Sequence, residues 1–248
     1  MRPLGAVVDD WLKDSAEVEA SWVTVDLVIF TLRDDGLRVL LIERGVEPFL
    51  GWPALPGGYV QKTETLRQGA LRELREEAGI DGSRLHLEQL GAYGDPGRDP
   101  RGRVVTVAYL ALGPDLPLPV GGTDARHAYW AAVPQPGVEA PDLAFDHSVI
   151  LADALEEIRR KLEYTAVATV FCGESFTLSE LRTVYEVVWG QCLDPSNFRR
   201  KVLKTAGFVE PTGEQRLPPT GRPAALYRRG SAWPLSPPLL RGMGNSAE

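Results

Sequence analysis

One short stretch constrains this chain more than any other. Gly58 is followed after five residues by Glu64, and after seven more by Arg72-Glu73-Leu74-Arg75-Glu76-Glu77-Ala78-Gly79-Ile80. From Thr65 to Ala78 the residues are mostly strong helix formers, Leu, Arg, Glu and Ala. Leu66, Ala70, Leu71, Leu74 and Ala78 recur at three-to-four spacing and predict a buried stripe, with Gly79 as the C-cap. On such a helix Glu73, Glu76 and Glu77 stand at i, i+3 and i+4, so their carboxylates converge on one edge. Clustered anions repel one another unless a hard cation lies between them, and oxygen ligands suit Mg²⁺ or Mn²⁺. An ion held there and bridged to phosphate oxygens would neutralise charge in phosphoryl transfer and lower the pKa of a bound water. The plain alternative is a solvated acidic face with arginine partners.

The residues around this helix predict a sheet. Ser21 to Leu32 is β-branched and apolar, Asp34-Asp35-Gly36 reads as a tight turn, and Leu37 to Ile42 returns as its hairpin partner. Further strands are expected at Leu85 to Leu90, Val104 to Leu112 and His127 to Val133, with surface loops at Gly91 to Arg103 and Leu112 to Asp124. Asp146 to Tyr164 predicts a second long helix, with Ile150, Ala154, Leu155, Ile158 and Leu162 on one face. Strands with two intervening helices fit an α+β fold in which a sheet lies between helices, an α/β/α sandwich.

The segment from Gly58 to Ile80 matches the Nudix box, G-x5-E-x7-R-E-U-x-E-E-x-G-U with U a bulky aliphatic, at every fixed position. The resemblance extends in looser form over residues 21 to 165. It implies that Glu73 and Glu77 are metal ligands and that Glu76 is a ligand or a helper in activating water. It also implies that the Gly58 carbonyl adds an oxygen, and that Arg72 and Glu64 form the ion pair that orients the glutamates. Relatives often read GxWALPGG; here Gly51-Trp52-Pro53-Ala54-Leu55 moves the Trp one place earlier, so the base side of the pocket is left open. Pro96 falls sixteen residues beyond the box, as in Nudix enzymes that cleave ADP-ribose. Gly57 and Gly58, with Arg44, Arg98 and Arg101, are the expected substrate contacts, the arginines pairing with phosphates or serving as ordinary surface charges; Arg103 is in the same loop.

Charge divides the chain. Its net charge is −7, yet Ser175 to Gly230 holds nine Lys or Arg against five acids, a balance of +4 that leaves −11 for the remainder. An acidic body with a basic C-terminal part suggests a polyanion as one partner. Thr177 with Glu180 is a capping box opening a helix to about Gly190. Asp194 caps another, with Pro195 at its first position, running to about Ala206 before Gly207. Short strands at Phe208 to Val209 and Ala225 to Arg228 complete the outline of a winged helix-turn-helix. Phe198, Val202 and Leu203 give the second helix an apolar face. Ser196, Asn197, Arg199, Arg200, Lys201 and Lys204 are the expected DNA contacts, with Arg222 of the hairpin reaching a groove. A helical appendage for dimer contacts is the alternative.

This part is similar to the winged helix of the Nudix-related transcriptional regulators of NAD metabolism. Phe176-Thr177-Leu178, Asn197-Phe198-Arg199-Arg200-Lys201 and Gly221-Arg222-Pro223-Ala224-Ala225-Leu226-Tyr227-Arg228 carry that resemblance, and Asp146-His147 with Arg159 and Lys161 resembles the family's linker helix. The implied protein is a homodimeric regulator, a repressor of NAD-related or pentose genes that binds a double-stranded operator and responds to ADP-ribose or a related nucleoside diphosphate. Its intact box implies Mg²⁺-dependent hydrolysis of ADP-ribose to AMP and ribose 5-phosphate. The rival is a housekeeping Nudix hydrolase whose C-terminal part only mediates oligomerisation. The expected boundaries are an N-terminal segment 1–20, a Nudix domain 21–165, a winged helix 166–235 and a flexible tail 236–248. Cys172 and Cys192 are expected as reduced, buried thiols. With no long apolar run and an acidic N-terminus, no membrane partner is expected and the cytoplasm is the expected compartment.

Overall fold

The computed structural model describes residues 20–33, 36–82, 85–117, 119, 125–133, 142–217 and 222–242. Strands β1 (Trp22–Arg33), β2 (Gly36–Arg44), β3 (Pro53–Ala54) and β4 (Gly57–Tyr59) precede helix α1 (Leu66–Ala78). Strands β5 (His86–Tyr93), β6 (Val104–Leu112) and β7 (Ala125–Ala132) lead to helix α2 (His147–Tyr164) and a 3-10 segment, Ala166–Cys172. Helices α3 (Leu178–Trp189) and α4 (Pro195–Lys204) and the hairpin β8 (Val209–Arg216) and β9 (Ala224–Arg229) follow.

The main sheet runs β3-β2-β1-β6-β5, with β4 added to β1 and β7 to β2. Strand β1 is its axis, parallel to β6 in an unbroken register from Trp22↔Val104 to Phe30↔Leu112. Both faces of β1 are covered, which explains its nearly continuous apolar sequence. Val25, Leu27 and Ile29 pack against Ala70, Leu74 and Ala78 of α1. Val28 and Phe30, on the other face, join Ile150, Ala154, Ile158 and Leu162 of α2. The α/β/α sandwich therefore follows from period-two burial on both sides of one strand.

Local signals place the helices. Thr65 caps α1 in a capping box with Gln68, and Gly79 closes it in the left-handed conformation at φ 66°. The Thr177–Glu180 box opens α3, and Asp194 with Pro195 opens α4. Helix α4 ends at Lys204, because Thr205 takes the cap with its N–H on the Lys201 carbonyl.

The two-stranded wing is longer than the sequence suggests, since β8 continues to Arg216 through a bulge. Strand β5 likewise runs on to Tyr93, paired with Thr106, past a register shift that Gly91 accommodates. The loop after β6 is not wholly at the surface: Leu116 is buried and its N–H donates to the Thr31 hydroxyl.

Other expectations are corrected. The segment from Ser236 to Gly242 is packed rather than frayed: Leu239 is buried, and its N–H donates to the Glu163 carbonyl at 2.9 Å. Arg241 pairs with Glu156 and Glu163 of α2. A Pro-rich composition suggested a loose tail, but two leucines, Leu235 and Leu239, have an apolar surface to cover. Leu203 lies exposed, one residue beyond the buried Val202. Of the two thiols, Cys192 is exposed and Cys172 half-buried, its pKa pushed up to about 12 by burial. Residues 1–19, Asp34-Asp35, Gly221 and 243–248 lie outside the described residues.

Candidate functional site

A cavity of about 350 Å³ opens beside β1, where α1, the β3–β4 region, the loop before β6 and the start of α2 meet. Glu73 and Glu77 line it, and both are buried. The close packing of β4 here, against Glu73 and against β1, depends on two glycines. A Cβ on Gly58 would lie 2.2 Å from Glu73 Oε1, and one on Gly57 would lie 2.3 Å from the Val25 carbonyl. The Gly57 N–H donates to Glu77 Oε2 at 2.8 Å.

Arg72 is the hub of the helix edge. Its Nε and Nη2 grip both Glu64 oxygens at 3.0 and 2.7 Å, and Nη1 reaches Glu73 Oε1 at 2.7 Å and Glu76 Oε2 at 2.9 Å. A further bond to the Tyr59 carbonyl, at 3.0 Å, ties the hub to β4. These acceptors hold the guanidinium pKa well above its ordinary value, the Glu64 bond contributing most. The same bond holds Glu64 below the usual carboxylate range. Burial pushes Glu73 the other way, against the pull of Arg72. The expected Arg72–Glu64 pair is thus present.

The three glutamates are not equivalent. Glu73 and Glu77 face the cavity, whereas Glu76 is half-exposed, lies outside its lining and is turned to Arg72. Among the described residues no three His, Cys, Asp or Glu side chains are gathered round one ion position. The donor set nevertheless suits a hard divalent cation: two buried carboxylates beside the closely packed backbone of Gly57 and Gly58, all with oxygen donors.

Of the expected substrate contacts, Arg44, Gly57, Gly58, Arg98 and Arg101 line this cavity; Pro96 is exposed and does not. Arg98 is no surface charge. Its side chain is 4% exposed and grips both Asp146 oxygens at 2.8 and 2.6 Å, with Asp26 at 3.6 Å. Arg101 is held by Asp99 through Nε at 2.9 Å and Nη2 at 2.6 Å. Arg44 donates to the Pro48 carbonyl at 2.8 Å, and burial together with the nearby Arg101 lowers its pKa. Arg103 turns back to the Gly94 carbonyl.

Sequence reasoning missed Asp26, Asp99, Phe145 and His147 as site residues, and all four line the cavity. Asp26 had a signal: it is an acid inside an apolar strand. His147 is fully buried; its Nδ1 accepts from the Leu55 N–H at 3.0 Å, and burial lowers its pKa, so the imidazole is neutral. Asp99, Phe145 and His147 converge only through loop paths that periodicity does not report.

The second candidate site is the face of α4. Phe198 and Val202 are buried while Ser196, Arg199, Arg200 and Lys204 are exposed; Asn197 and Lys201 are half-buried. Asn197 Oδ1 accepts from Arg200 Nη2 at 2.7 Å. Arg222 is exposed at the wing. The basic module is joined to the first by α2. Tyr185 donates its hydroxyl to the Leu162 carbonyl at 3.0 Å, Trp189 Nε1 to the Arg159 carbonyl at 3.2 Å, and Arg159 Nε to the Val188 carbonyl at 3.1 Å. Helix α2 thus begins at the cavity wall and ends in the core of the α3–α4 module.

Comparison with known proteins falls on the same two regions. Residues 21–154 match the NUDIX domain and residues 170–229 match the NrtR DNA-binding winged helix domain. The chain is 37% identical, over 83% of its length and 81% of the relative's, to the ADPR responsive transcriptional repressor NtrR of Acinetobacter baylyi. It is similar to the crystal structure of Shewanella oneidensis NrtR complexed with a 27mer DNA, at TM-score 0.69 and 36% identity, covering 84% of this chain and 93% of that one. The NUDIX domain of the same Shewanella protein, crystallised with ADP ribose, matches at TM-score 0.50 and 34% identity over 60% of this chain and 97% of that one.

Proposed function

The chain belongs to the Nudix family and carries the winged helix of the NrtR regulators, and from that premise we propose that it is an ADP-ribose-responsive transcriptional repressor. The observation that carries the reading is α2, one helix that starts on the wall of the Glu73–Glu77 cavity and ends hydrogen-bonded to α3. A ligand that shifts the cavity wall would move the helix to which the DNA module is fixed. Coupling of this kind requires two sites and an element that both can bias.

The Nudix part, over 21–165, takes ADP-ribose with its diphosphate toward Arg44, Arg98, Arg101 and the glycines. Glu73 and Glu77, with the Gly58 carbonyl, would hold Mg²⁺, and Glu76 would assist from the exposed edge; Mn²⁺ suits the same oxygens. When bound, the ion supplies charge neutralisation at phosphate and acidifies a water. The chain's own contribution is orientation: Arg72 fixes Glu73, and Gly57 fixes Glu77. Because the box is intact, the protein also hydrolyses ADP-ribose at the diphosphate, releasing AMP and ribose 5-phosphate. The winged helix, over 166–235, reads DNA with Ser196, Asn197, Arg199, Arg200, Lys201 and Lys204 and places Arg222 of the wing on the duplex. A homodimer would supply two such helices to an operator with two half-sites. Among the described residues no helix is long and apolar enough to cross a membrane, and the cytoplasm is the compartment proposed.

The test is reciprocity. Saturating ADP-ribose should lower operator affinity by about 1–3 kcal/mol, and operator DNA must weaken ADP-ribose binding by the same factor. Titration calorimetry of ADP-ribose with and without operator measures it, using Glu77→Gln to prevent turnover. Equal affinities in the two titrations would remove the sensor, even if both ligands bind.

A further inference from the structure

Phe145 lines the cavity, and its backbone geometry is unusual. It lies in the left-handed region at φ 57°, where a bulky side chain rarely sits. Residues persist there only when their surroundings over-determine them, and such residues cluster at ligand clamps and switch regions. Its neighbours do fix it: the buried Ala144 donates its N–H to the Pro53 carbonyl at 2.9 Å, and the buried His147 starts α2 two residues on. Phe49, also left-handed at φ 66°, packs edge-on against the Phe145 ring at 4.9 Å.

Two cations share this ring. The Arg44 guanidinium carbon lies 4.7 Å from its centroid and that of Arg101 lies 5.4 Å away, both within cation–π reach. Arg101 also lies 5.3 Å from the Tyr59 centroid. The buried Asp99 offsets one of the two like charges brought to this ring, and an incoming anion would offset the other. Each arginine is anchored, Arg44 through Nε on the Pro48 carbonyl and Arg101 through Nε and Nη2 on Asp99. The two groups are therefore poised rather than loose.

We propose that Phe145 is the positioning residue of a two-arginine anion site, its ring spacing Arg44 and Arg101 so that the two phosphates of a diphosphate each meet one guanidinium. The inference rests on the reading of the cavity as a nucleoside diphosphate site, and it names the residue that sets that site's preference for two phosphates over one. Phe145 also immediately precedes Asp146, the cap of α2, so a diphosphate drawn to the pair acts on the residue next to the helix that reaches the DNA module.

The experiment is calorimetry in EDTA, where binding rests on side chains rather than on a cation, with inorganic pyrophosphate, inorganic phosphate and ADP-ribose as probes. Phe145→Leu keeps the apolar bulk and the backbone strain but removes the π face. It should weaken pyrophosphate and ADP-ribose by about tenfold, the scale of lost cation–π contacts in a desolvated site, and phosphate by much less. Phe145→Tyr restores the face and should bind within about twofold of the parent chain. Should Phe145→Leu fail to fold, Arg101→Lys serves, keeping the charge while losing the planar group; it too should lose pyrophosphate more than phosphate. Unchanged pyrophosphate affinity in Phe145→Leu, or an equal loss in the Leu and Tyr variants, overturns the proposal. Ring-dependent binding of pyrophosphate by a chain that ignores ADP-ribose would uphold the anion site and overturn the ligand assignment instead.

Discussion

Helices α1 and α4 each bring charged side chains to a candidate site, and both are capped by a side-chain oxygen, Thr65 in one and Asp194 in the other. They differ in what surrounds the charge. The acids of α1 that face the cavity are buried, and a single arginine hub fixes the edge through four side-chain bonds. The cations Arg199, Arg200 and Lys204 of α4 are exposed to solvent. Buried charge costs free energy unless it is paired, so a buried acid edge is retained for chemistry at a defined point. Exposed cations cost little and act by summation over many phosphates. On the proposed function one helix serves a small ligand and the other a polymer, and substitutions in each should fail differently.

The largest expected effect is on the buried edge. Glu77→Gln keeps the shape and removes one cavity-facing charge. Turnover of ADP-ribose with Mg²⁺ should fall by more than the roughly 10–100-fold that outer-shell partners of a metal cost, because Glu77 is proposed as a direct ligand. Chromatography of released AMP measures it. Parent-like turnover would place the cation elsewhere and dissolve the contrast between the two helices.

Next in size is Arg72→Ala, which strips Glu73 of its cation while leaving it buried. Removing one partner of a buried pair costs about 3–5 kcal/mol, and Arg72 is 18% exposed, so a loss near the lower end of that range is expected. Denaturant unfolding gives the number. A loss below about 0.5 kcal/mol, the scale of a surface pair, would show that the hub is an ordinary solvated cluster.

The same contrast explains what could be read before the fold was known. Glu73, Glu76 and Glu77 were legible as one helix edge from local periodicity, whereas Gly58 and the Glu64–Arg72 pair were legible only through the resemblance to the Nudix box; the structure forms that pair. The capping box at Thr177 and the proline start of α4 were legible for the same local reason. Asp99, Phe145 and His147 were not, and Asp26 announced itself only as an acid inside an apolar strand, since the four come together only when β1, the loop before β6 and the start of α2 meet in three dimensions. Pro96 shows the reverse error: a sequence position counted along a loop does not fix where the loop passes, and this residue stays outside the cavity. The packing of Leu239 was hidden too, because a Pro-rich composition says nothing of an apolar groove left open by α2.

The smallest effects are expected on the exposed edge, and they separate two neighbours. Arg199 is exposed, and a side chain of this kind that meets only phosphate should lose affinity uniformly over DNA sequences when cut to Ala, with the salt slope falling by about one. Arg200 differs because its Nη2 donates to Asn197 Oδ1 at 2.7 Å, near the start of the helix where base edges are reached. Arg200→Ala would therefore remove the proposed phosphate contact and also the bond that holds the Asn197 side chain. If Asn197 reads a base, Arg200→Ala should cost a further amount on the operator alone, of about 1–3 kcal/mol, the value of one base contact. Binding to operator and to scrambled duplex, each over a range of salt, resolves the two contributions. Equal uniform losses in both variants would make Asn197 a helix-start residue with no part in readout, and unchanged affinity in both would take α4 out of the interface. Such an outcome would leave the buried edge of α1 as the working half of the comparison and return the molecule to the plain hydrolase reading.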